Sequence, residues 1–162
     1  STPLYSSAAS DVYKRQELAL SFLEENKIKL IKKSSFYETF SYPDKNKPKF
    51  INIVASIEST LPALDLMTVL ISIEEKLERK RFKKNDPRTC DIDIIDYNKK
   101  SLSIYTHKHK ITVPHPRMKT RNFVLIPLLD VCKNWIHPKS RENISELISK
   151  LNFTDLRSIK LY

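Results

Sequence analysis

The 162-residue sequence contains no glycine, whereas about 7% of the residues of an average protein are glycine. Phosphate-binding loops of the Walker and Rossmann types need glycine, because the backbone must approach the phosphates closely. The absence of glycine therefore argues strongly against such a loop. If this chain binds a nucleotide, side chains must do most of the holding.

Cysteines and long apolar runs are also scarce. Cys90 and Cys132 lie far apart and outside any metal-binding spacing, which argues against a structural zinc site. No run reaches the roughly 18 uncharged apolar residues that a membrane span needs, and no charged segment leads into an apolar one as in a secretory signal. We therefore expect a cytoplasmic protein with reduced cysteines.

Basic residues exceed acidic ones, 29 to 19, which gives a net charge of +10. Such a charge favours an anionic partner: a nucleic acid, nucleotide phosphates or an acidic surface. Many lysines are scattered, however, and a lysine-rich solvated surface explains the total charge equally well. Local clusters of charge have to decide between the two interpretations.

The pattern of apolar residues predicts an α+β fold. The predicted elements are a helix from Glu17, strands within 29–39 and 50–60, a helix within 61–80, a strand over 89–97, short strands and loop over 99–131, and a helix within 140–151. This order favours a ferredoxin-like, mostly antiparallel sheet with helices packed on it. We expect a tail or junction over 1–16 and a single domain over 17–162.

Two acids interrupt an apolar run near the middle of the chain. In a strand, Asp91 and Asp93 would share one face, with Ile92 and Ile94 on the other. Paired carboxylates repel each other, and a Mg²⁺ ion held by one or two carboxylates plus substrate phosphates would remove that cost. An edge strand with one wet face, or ion pairs with nearby lysines, explains the spacing equally well.

Basic residues precede these acids within ten positions: Arg79, Arg81, Lys83, Lys84 and Arg88. Arginine binds phosphate in a bidentate manner, and cations next to a Mg²⁺ site are what phosphoryl transfer requires. A solvated helix end that complements the helix dipole is the alternative.

Two further patterns suit a phosphorylated ligand and a flat ring. His115 lies between two prolines and is followed by basic residues, so a phosphate contact is plausible. Phe50 and Asn52 share a strand face, and an aromatic ring beside an amide can stack on a heterocycle and hydrogen-bond it. In isolation, a core phenylalanine and a structural asparagine are the more common interpretation.

Four segments occur together in the order and spacing of a known family. They are "SSFYET" at 34–39, "PKFIN" at 48–52, "PRTCDIDIIDY" at 87–97 and "VPHPRMKTRNFVLIPL" at 113–128. The chain resembles the hydroxymethyl-dihydropterin pyrophosphokinases of folate biosynthesis over about residues 17–138. These enzymes transfer the pyrophosphoryl group of ATP to the hydroxymethyl oxygen of the dihydropterin and release AMP.

The resemblance implies metal and ATP sites. Asp91 and Asp93 match the pair that holds two Mg²⁺ ions. The matching phosphate-binding residues are Arg79, Arg88, His115 and Arg121, of which Arg79 and Arg88 also match catalytic positions. Glu74 matches a helix acid placed near ATP.

The resemblance also implies a pterin site. Phe50 and Phe123 match the two rings that sandwich the pterin, and Asn52 matches the amide that hydrogen-bonds it. Thr39 begins a loop whose backbone contacts the pterin edge. The implied partners are small molecules, with no nucleic acid or membrane, and the implied state is a monomer.

Two segments depart from the family pattern. Asn85-Asp86 stands where the family usually has Trp-Gly, and residues 1–16 hold nothing like the family's opening strand and glycine-rich turn. We therefore expect a truncated chain without its first strand, of weak stability and little activity. A basic α+β RNA-binding module and a Mg²⁺-dependent nuclease are alternative functions.

Overall fold

The structure is a computed structural model that describes residues 5–40, 46, 49–79 and 90–162; of residues 5–12 and Arg79 it describes the backbone alone. The helices are α1 (Tyr5–Glu25), α2 (Ala63–Arg79), α3 (Asn122–Val131), α4 (Ile144–Ser149) and α5 (Phe153–Arg157), with a 3₁₀ turn at Met118–Thr120. The strands are β1 (Lys29–Lys33), β2 (Tyr37–Thr39), β3 (Phe50–Asn52), β4 (Ala55–Glu58), β5 (Leu102–Tyr105), β6 (Lys110–Val113) and β7 (Ile159–Leu161).

The predicted α+β class with antiparallel pairing is confirmed. Strand β2 pairs antiparallel with β3 and β7, and β5 pairs antiparallel with β6. In the part of the chain that the structure describes, the strands form three small sheets, β1-β4, β3-β2-β7 and β5-β6. The ferredoxin-like arrangement and the loss of a first strand stay predictions.

The chain divides into two compact units. Unit 1 consists of Ser1–Leu30 and Ile57–Asp93, and unit 2 of Ile31–Ser56 and Ile94–Tyr162. The single domain over 17–162 and the tail over 1–16 stay predictions.

In unit 1, α2 follows the predicted pattern. The carbonyl of Pro62 accepts the first helical hydrogen bond, from the amide of Leu66 at 2.9 Å, as expected for proline at the start of a helix. Four apolar residues of this helix recur at spacings of four, three and four, as on one helical face, and all are buried: Leu66, Leu70, Ile73 and Leu77. Each such side chain contributes about 1.5–3 kcal/mol through burial, so packing of this stripe stabilises the helix.

Helix α1 begins at Tyr5, twelve residues before the predicted start at Glu17. Residues 5–25 contain neither proline nor glycine, so no residue in this segment breaks a helix. The buried stripe of α1 also extends one turn back, to Arg15 and Gln16. Apolar periodicity could not signal this turn, because its buried side chains are polar.

The two strands predicted within 29–39 and 50–60 are each interrupted, and the two interruptions are hydrogen-bonded to each other. Ser34 lies between β1 and β2, and Val54 between β3 and β4. The amide of Ser34 donates to the carbonyl of Val54 at 2.8 Å, and the hydroxyl of Ser34 accepts from the amide of Val54 at 3.0 Å. On one side of this pair of hydrogen bonds β1 and β4 form one sheet, and on the other side β2 and β3 belong to another.

Residues 122–131 form a helix, α3, where the sequence pattern predicted short strand and loop. The prediction was wrong because almost every residue of this segment is apolar, which leaves no polar face to reveal the period. Pro127 lies inside the helix and is buried. The core of unit 2 surrounds α3: Met118, Val124, Leu125, Leu128, Trp135, Ile144 and Leu147.

The final helix predicted within 140–151 is confirmed as α4. Asn143 caps this helix: its side chain accepts from the amide of Glu146 at 2.8 Å. The sequence pattern did not predict α5 or β7. No helix among the described residues is long and apolar enough to cross a membrane.

Candidate functional site

We define the acid-bearing segment as residues 90–93, which contain Asp91 and Asp93 and end unit 1. The predicted strand over 89–97 is wrong for its described part, because Cys90–Asp96 joins no described strand. Exposure nevertheless alternates as predicted: Asp91 and Asp93 are exposed, while Ile92 and Ile94 are half-buried. The two carboxylates therefore reach solvent from alternate positions, with the isoleucines turned inward.

This segment is hydrogen-bonded to a carboxylate of α2, that of Glu74, and not to a described strand. The amide of Ile92, between the two aspartates, donates to Glu74 Oε1 at 2.5 Å. Burial raises the pKa of Glu74, and the charges of Asp91 and Asp93 raise it further, while the Ile92 hydrogen bond lowers it. Glu74 therefore contacts the backbone from which both aspartates project.

Asp91 and Asp93 are a pair and, in the ranges that the structure describes, not part of a larger set of metal ligands. Among the described residues, no group of three or more His, Cys, Asp or Glu could hold a metal ion. Burial raises the pKa of the neighbouring Cys90 to about 11, with the charges of Asp91 and Glu74 adding to the effect. The thiol stays protonated at neutral pH, and a thiol is a poor metal ligand.

Part of the predicted basic cluster lies outside the described residues. Arg79 is the last residue of α2, and its side chain is not described. Arg88 and the Asn85-Asp86 pair lie outside the described residues with the rest of 80–89. The roles expected for Arg79 and Arg88 stay predictions.

In unit 2, the structure brings three of the predicted pterin residues together on the β2-β3 ladder. Thr39 pairs with Phe50 and Tyr37 with Asn52, so these four side chains lie on one face of the ladder. The amide nitrogen of Asn52 donates to the hydroxyl of buried Thr39 at 3.1 Å, while the ring of Phe50 is 46% exposed. An accessible ring and an oriented amide therefore lie side by side.

The remaining predicted residues of unit 2 lie around the start of α3. The guanidinium carbon of Arg121 is 5.4 Å from the centroid of the Phe123 ring, a cation–π contact. Phe123 is half-buried against the core of unit 2. Arg121 and Phe123 therefore form a contiguous pair.

His115 is held by its backbone and by its ring. Its amide donates to the carbonyl of Ile95 at 2.9 Å, and its Nδ1 accepts from the amide of Arg117 at 3.2 Å. Because Nδ1 is an acceptor, the proton of the neutral ring lies on Nε2. His115 can thus donate from Nε2 to an anionic ligand.

His115 also lines a cavity of about 770 Å³ in unit 2. The walls come from the β5-β6 hairpin, the segment around Pro114 and the loop before α4: Ser101, Leu102, Ser103, Thr112, Val113, Pro114, His115, Pro116, Lys119, His137, Lys139 and Ser140. Sequence reasoning did not single out Thr112, His137 or Lys139. No motif marked them, since Thr112 lies in β6 and His137 and Lys139 lie in the loop before α4, and only folding brings these two segments together.

These observations define a class: an α+β protein with an exposed aspartate pair and an aromatic–amide face. A family model for 7,8-dihydro-6-hydroxymethylpterin-pyrophosphokinase (HPPK) matches residues 6–133. The chain belongs to this family.

Curated relatives agree with the family match. The chain is 34% identical over 121 residues to the 2-amino-4-hydroxy-6-hydroxymethyldihydropteridine pyrophosphokinase of Synechocystis sp., covering 75% of this chain and 60% of that protein. It is 33% identical over 132 residues to the protein of the same name from Haemophilus influenzae, covering 82% and 78%. It is 30% identical over 159 residues to the folic acid synthesis protein fol1 of Pneumocystis carinii, covering 96% of this chain and 21% of that protein.

Proposed function

We propose that this chain is an ATP-dependent diphosphotransferase that acts in folate biosynthesis. It transfers the pyrophosphoryl group of Mg-ATP to the hydroxymethyl group of 6-hydroxymethyl-7,8-dihydropterin and releases AMP. The observation that carries this proposal is the exposed Asp91–Asp93 pair in a chain that matches the pyrophosphokinase family over residues 6–133.

The residues of the acid-bearing segment fit a Mg²⁺ site. Asp91 and Asp93 offer two exposed carboxylates, and Mg²⁺ is commonly bound by one or two carboxylates, with substrate phosphates and water completing its shell. In this proposal the pair would hold two Mg²⁺ ions. Bound Mg²⁺ would neutralise phosphate charge and make a bound hydroxyl more acidic.

The basic residues bind the triphosphate. Arg79, Arg88 and Arg121 offer guanidinium groups for bidentate contacts with phosphate oxygens, and His115 donates from Nε2. Arg79 and Arg88 stabilise the charge that develops during transfer. Glu74 lies near ATP and also holds the Ile92 amide, which fixes the backbone between the two metal-binding aspartates.

The pterin stacks between Phe50 and Phe123. The exposure of the Phe50 ring suits stacking on a flat substrate. The hydrogen bond from Asn52 to Thr39 fixes the orientation of the Asn52 amide, so that the amide can recognise the donors and acceptors on the pterin edge. The backbone that follows Thr39 contacts the same edge.

Product analysis tests the reaction. With hydroxymethyl-dihydropterin, ATP and Mg²⁺, the protein should release AMP rather than ADP. Asp91→Asn and Asp93→Asn should each abolish AMP release, whereas the control Asp65→Asn, at an exposed acid in the first turn of α2, should not. Release of ADP, or full activity in either aspartate variant, would overturn the proposal.

The family match does not favour the RNA-binding module or the nuclease. The cytoplasmic location, the monomeric state and the absence of nucleic-acid and membrane partners stay predictions from the sequence.

A further inference from the structure

Asn122 lies between two residues of the proposed site, Arg121 and Phe123, and its side chain points away from solvent. It is the first residue of α3 and is 9% exposed. A buried amide needs hydrogen-bond partners. Its partners show what the residue does.

The Asn122 side chain makes three hydrogen bonds within unit 2. Its Nδ2 donates to the carbonyl of Asp155 at 2.6 Å and to the hydroxyl of Ser158 at 2.9 Å. Its Oδ1 accepts from the amide of Phe123 at 2.7 Å. One side chain thus ties the first turn of α3 to the end of α5.

The segment that receives these bonds also holds β2. We define the C-terminal clasp as residues 152–162, which contain α5 and β7. Strand β7 pairs with β2, with Ile159 opposite Thr39, and the amide of Tyr162 donates to the carbonyl of Phe36 at 2.9 Å. The clasp therefore contacts α3 and β2, two of the three elements that carry proposed pterin residues of unit 2, and it lies beyond the family match, which ends at residue 133.

We propose that Asn122 is a positioning residue for pterin binding and that it acts through the C-terminal clasp. The inference rests on the proposed function, because Phe123 and Thr39 are pterin residues only if that function is right. The Arg121 side chain, which precedes the helix, does not cap α3. Asn122 instead satisfies the Phe123 amide, one of the amides that a helix leaves without an intrahelical partner.

The physical effect is on the Phe123 ring. With Asn122 in place, the backbone at Phe123 is bonded to the clasp, and the clasp is bonded to the strand of Thr39. Without it, the Phe123 amide loses its partner, the Asp155 carbonyl keeps its bond from the Ser158 hydroxyl but loses its link to α3, and the first turn of α3 is free to shift. Small displacements of a substrate-positioning group have large effects on binding and turnover.

Three variants test the inference. Asn122→Ala removes all three bonds, and Asn122→Asp keeps the acceptor for Phe123 but turns an oxygen toward the Asp155 carbonyl. Ser158→Ala removes the hydroxyl that accepts from Asn122 and donates to the Asp155 carbonyl, and it leaves the other two Asn122 bonds in place. The matched control is Asn143→Ala, which removes the cap of α4 and touches no proposed site residue.

The readout is the KM for hydroxymethyl-dihydropterin at saturating Mg-ATP, measured at a temperature where every variant is folded by its unfolding curve. The KM should rise about tenfold in both Asn122 variants, as expected for losing buried hydrogen bonds that orient a binding group. It should rise less in Ser158→Ala and stay at the wild-type value in Asn143→Ala.

The outcomes separate this inference from the proposed function. A wild-type protein that releases AMP, with Asn122 variants whose KM for the pterin matches that of Asn143→Ala, overturns the positioning role alone. A wild-type protein that neither binds the pterin nor releases AMP overturns both. If Asn122→Ala fails to fold, Asn122→Asp and Ser158→Ala decide the outcome.

Discussion

The phenol of Tyr37 donates a 2.6 Å hydrogen bond to the carboxylate of Asp130, which joins β2 to the end of α3. The same Asp130 oxygen accepts from the amide of Ser35 at 3.2 Å. Tyr37 is 8% exposed, and burial raises its pKa to about 12, with the hydrogen bond and charge of Asp130 adding to the effect. The phenol is therefore a permanent donor at neutral pH.

Tyr37→Phe should lower the free energy of unfolding by about 1–2 kcal/mol, because it removes the donor and leaves a partly buried carboxylate without this partner. Urea unfolding measures the change. The control Tyr105→Phe, at a ring that is 69% exposed, should change stability much less. Equal effects in the two variants would show that the Asp130 bond contributes nothing.

The burial of Tyr37, together with its hydrogen bond to Asp130, predicts an alkaline transition. The ordinary pKa of a tyrosine is 10.0, and that of Tyr37 is raised to about 12 in the folded protein, so folding favours the protonated phenol. This contribution to stability is complete below pH 10 and is lost as the pH rises toward 12. The stability difference between wild type and Tyr37→Phe, measured by urea unfolding, should therefore shrink between pH 10 and pH 12, and a constant difference would contradict the assignment.

A chain without glycine places other residues where the backbone is left-handed. Lys27, which follows α1, has φ of 60°, and Asn98, Lys99 and Arg141 have φ of 52°, 56° and 64°. A left-handed conformation costs a non-glycine residue about 1–2 kcal/mol, partly offset by the larger entropy that glycine loses on folding. Lys27→Gly should therefore stabilise the protein by about 0.5–1 kcal/mol.

Thermal or urea unfolding checks this prediction. The control is Lys32→Gly in β1, where the backbone is extended and glycine should be destabilising. If both glycine variants destabilise the protein, the left-handed cost at Lys27 is too small to matter.

The lowered pKa of Glu142 predicts that the protein loses stability in acid. Hydrogen bonds from Lys119, at 2.7 Å, and from Lys150 lower the pKa of Glu142 from 4.5 to about 2. Folding thus favours the ionised form, so its contribution to stability is present above pH 4.5 and is lost as the pH falls toward 2. Glu142→Gln should remove this part of the acid destabilisation in melting temperatures measured from pH 5 to pH 2.

The control for the acid transition is Glu75→Gln, at an exposed carboxylate of α2. This variant should keep the pH dependence of the wild type. If wild type and Glu142→Gln show identical melting temperatures across this pH range, the bonds from the two lysines to Glu142 do not cause the acid destabilisation.

The hydrogen bond from the Ile92 amide to Glu74 predicts that two substitutions of Glu74 will differ in their effect on the backbone at Ile92. Glu74→Gln keeps an oxygen that can accept from the Ile92 amide, whereas Glu74→Ala leaves that amide without its partner. Hydrogen exchange at Ile92 should be faster in Glu74→Ala than in Glu74→Gln, and AMP release should fall by about tenfold in the alanine variant. Equal exchange rates would show that the carboxylate does not hold the segment.

Much of the local structure could be predicted from the sequence. The stripe of α2 and the Asn143 cap of α4 depend on neighbours a few residues away along the chain. The alternation at Asp91 and Asp93 is local in the same way, and the exposure of both acids agrees with it. The family followed from motifs with a distinctive order and spacing.

The predictions that failed depend on distant residues. Helix α3 is apolar on every side, so only its burial in the core of unit 2 identifies it as a helix. In the segment predicted as a strand over 89–97, the amide of Ile92 donates to the carboxylate of Glu74 instead of to a neighbouring strand. A strand requires a hydrogen-bonded neighbour, and no local sequence pattern reveals whether one is present.

The sequence alone determined the class of the fold and the family, because periodicity and motif spacing are properties of the linear chain, and on the same basis it predicts the residues that the chemistry needs. Only the tertiary structure decided which groups hold those residues in place. Asp130 holds β2 through Tyr37, and Asn122 joins α3 to the C-terminal clasp. These partners are tens of residues apart in the chain, and hydrogen bonds between them form only when packing brings them together.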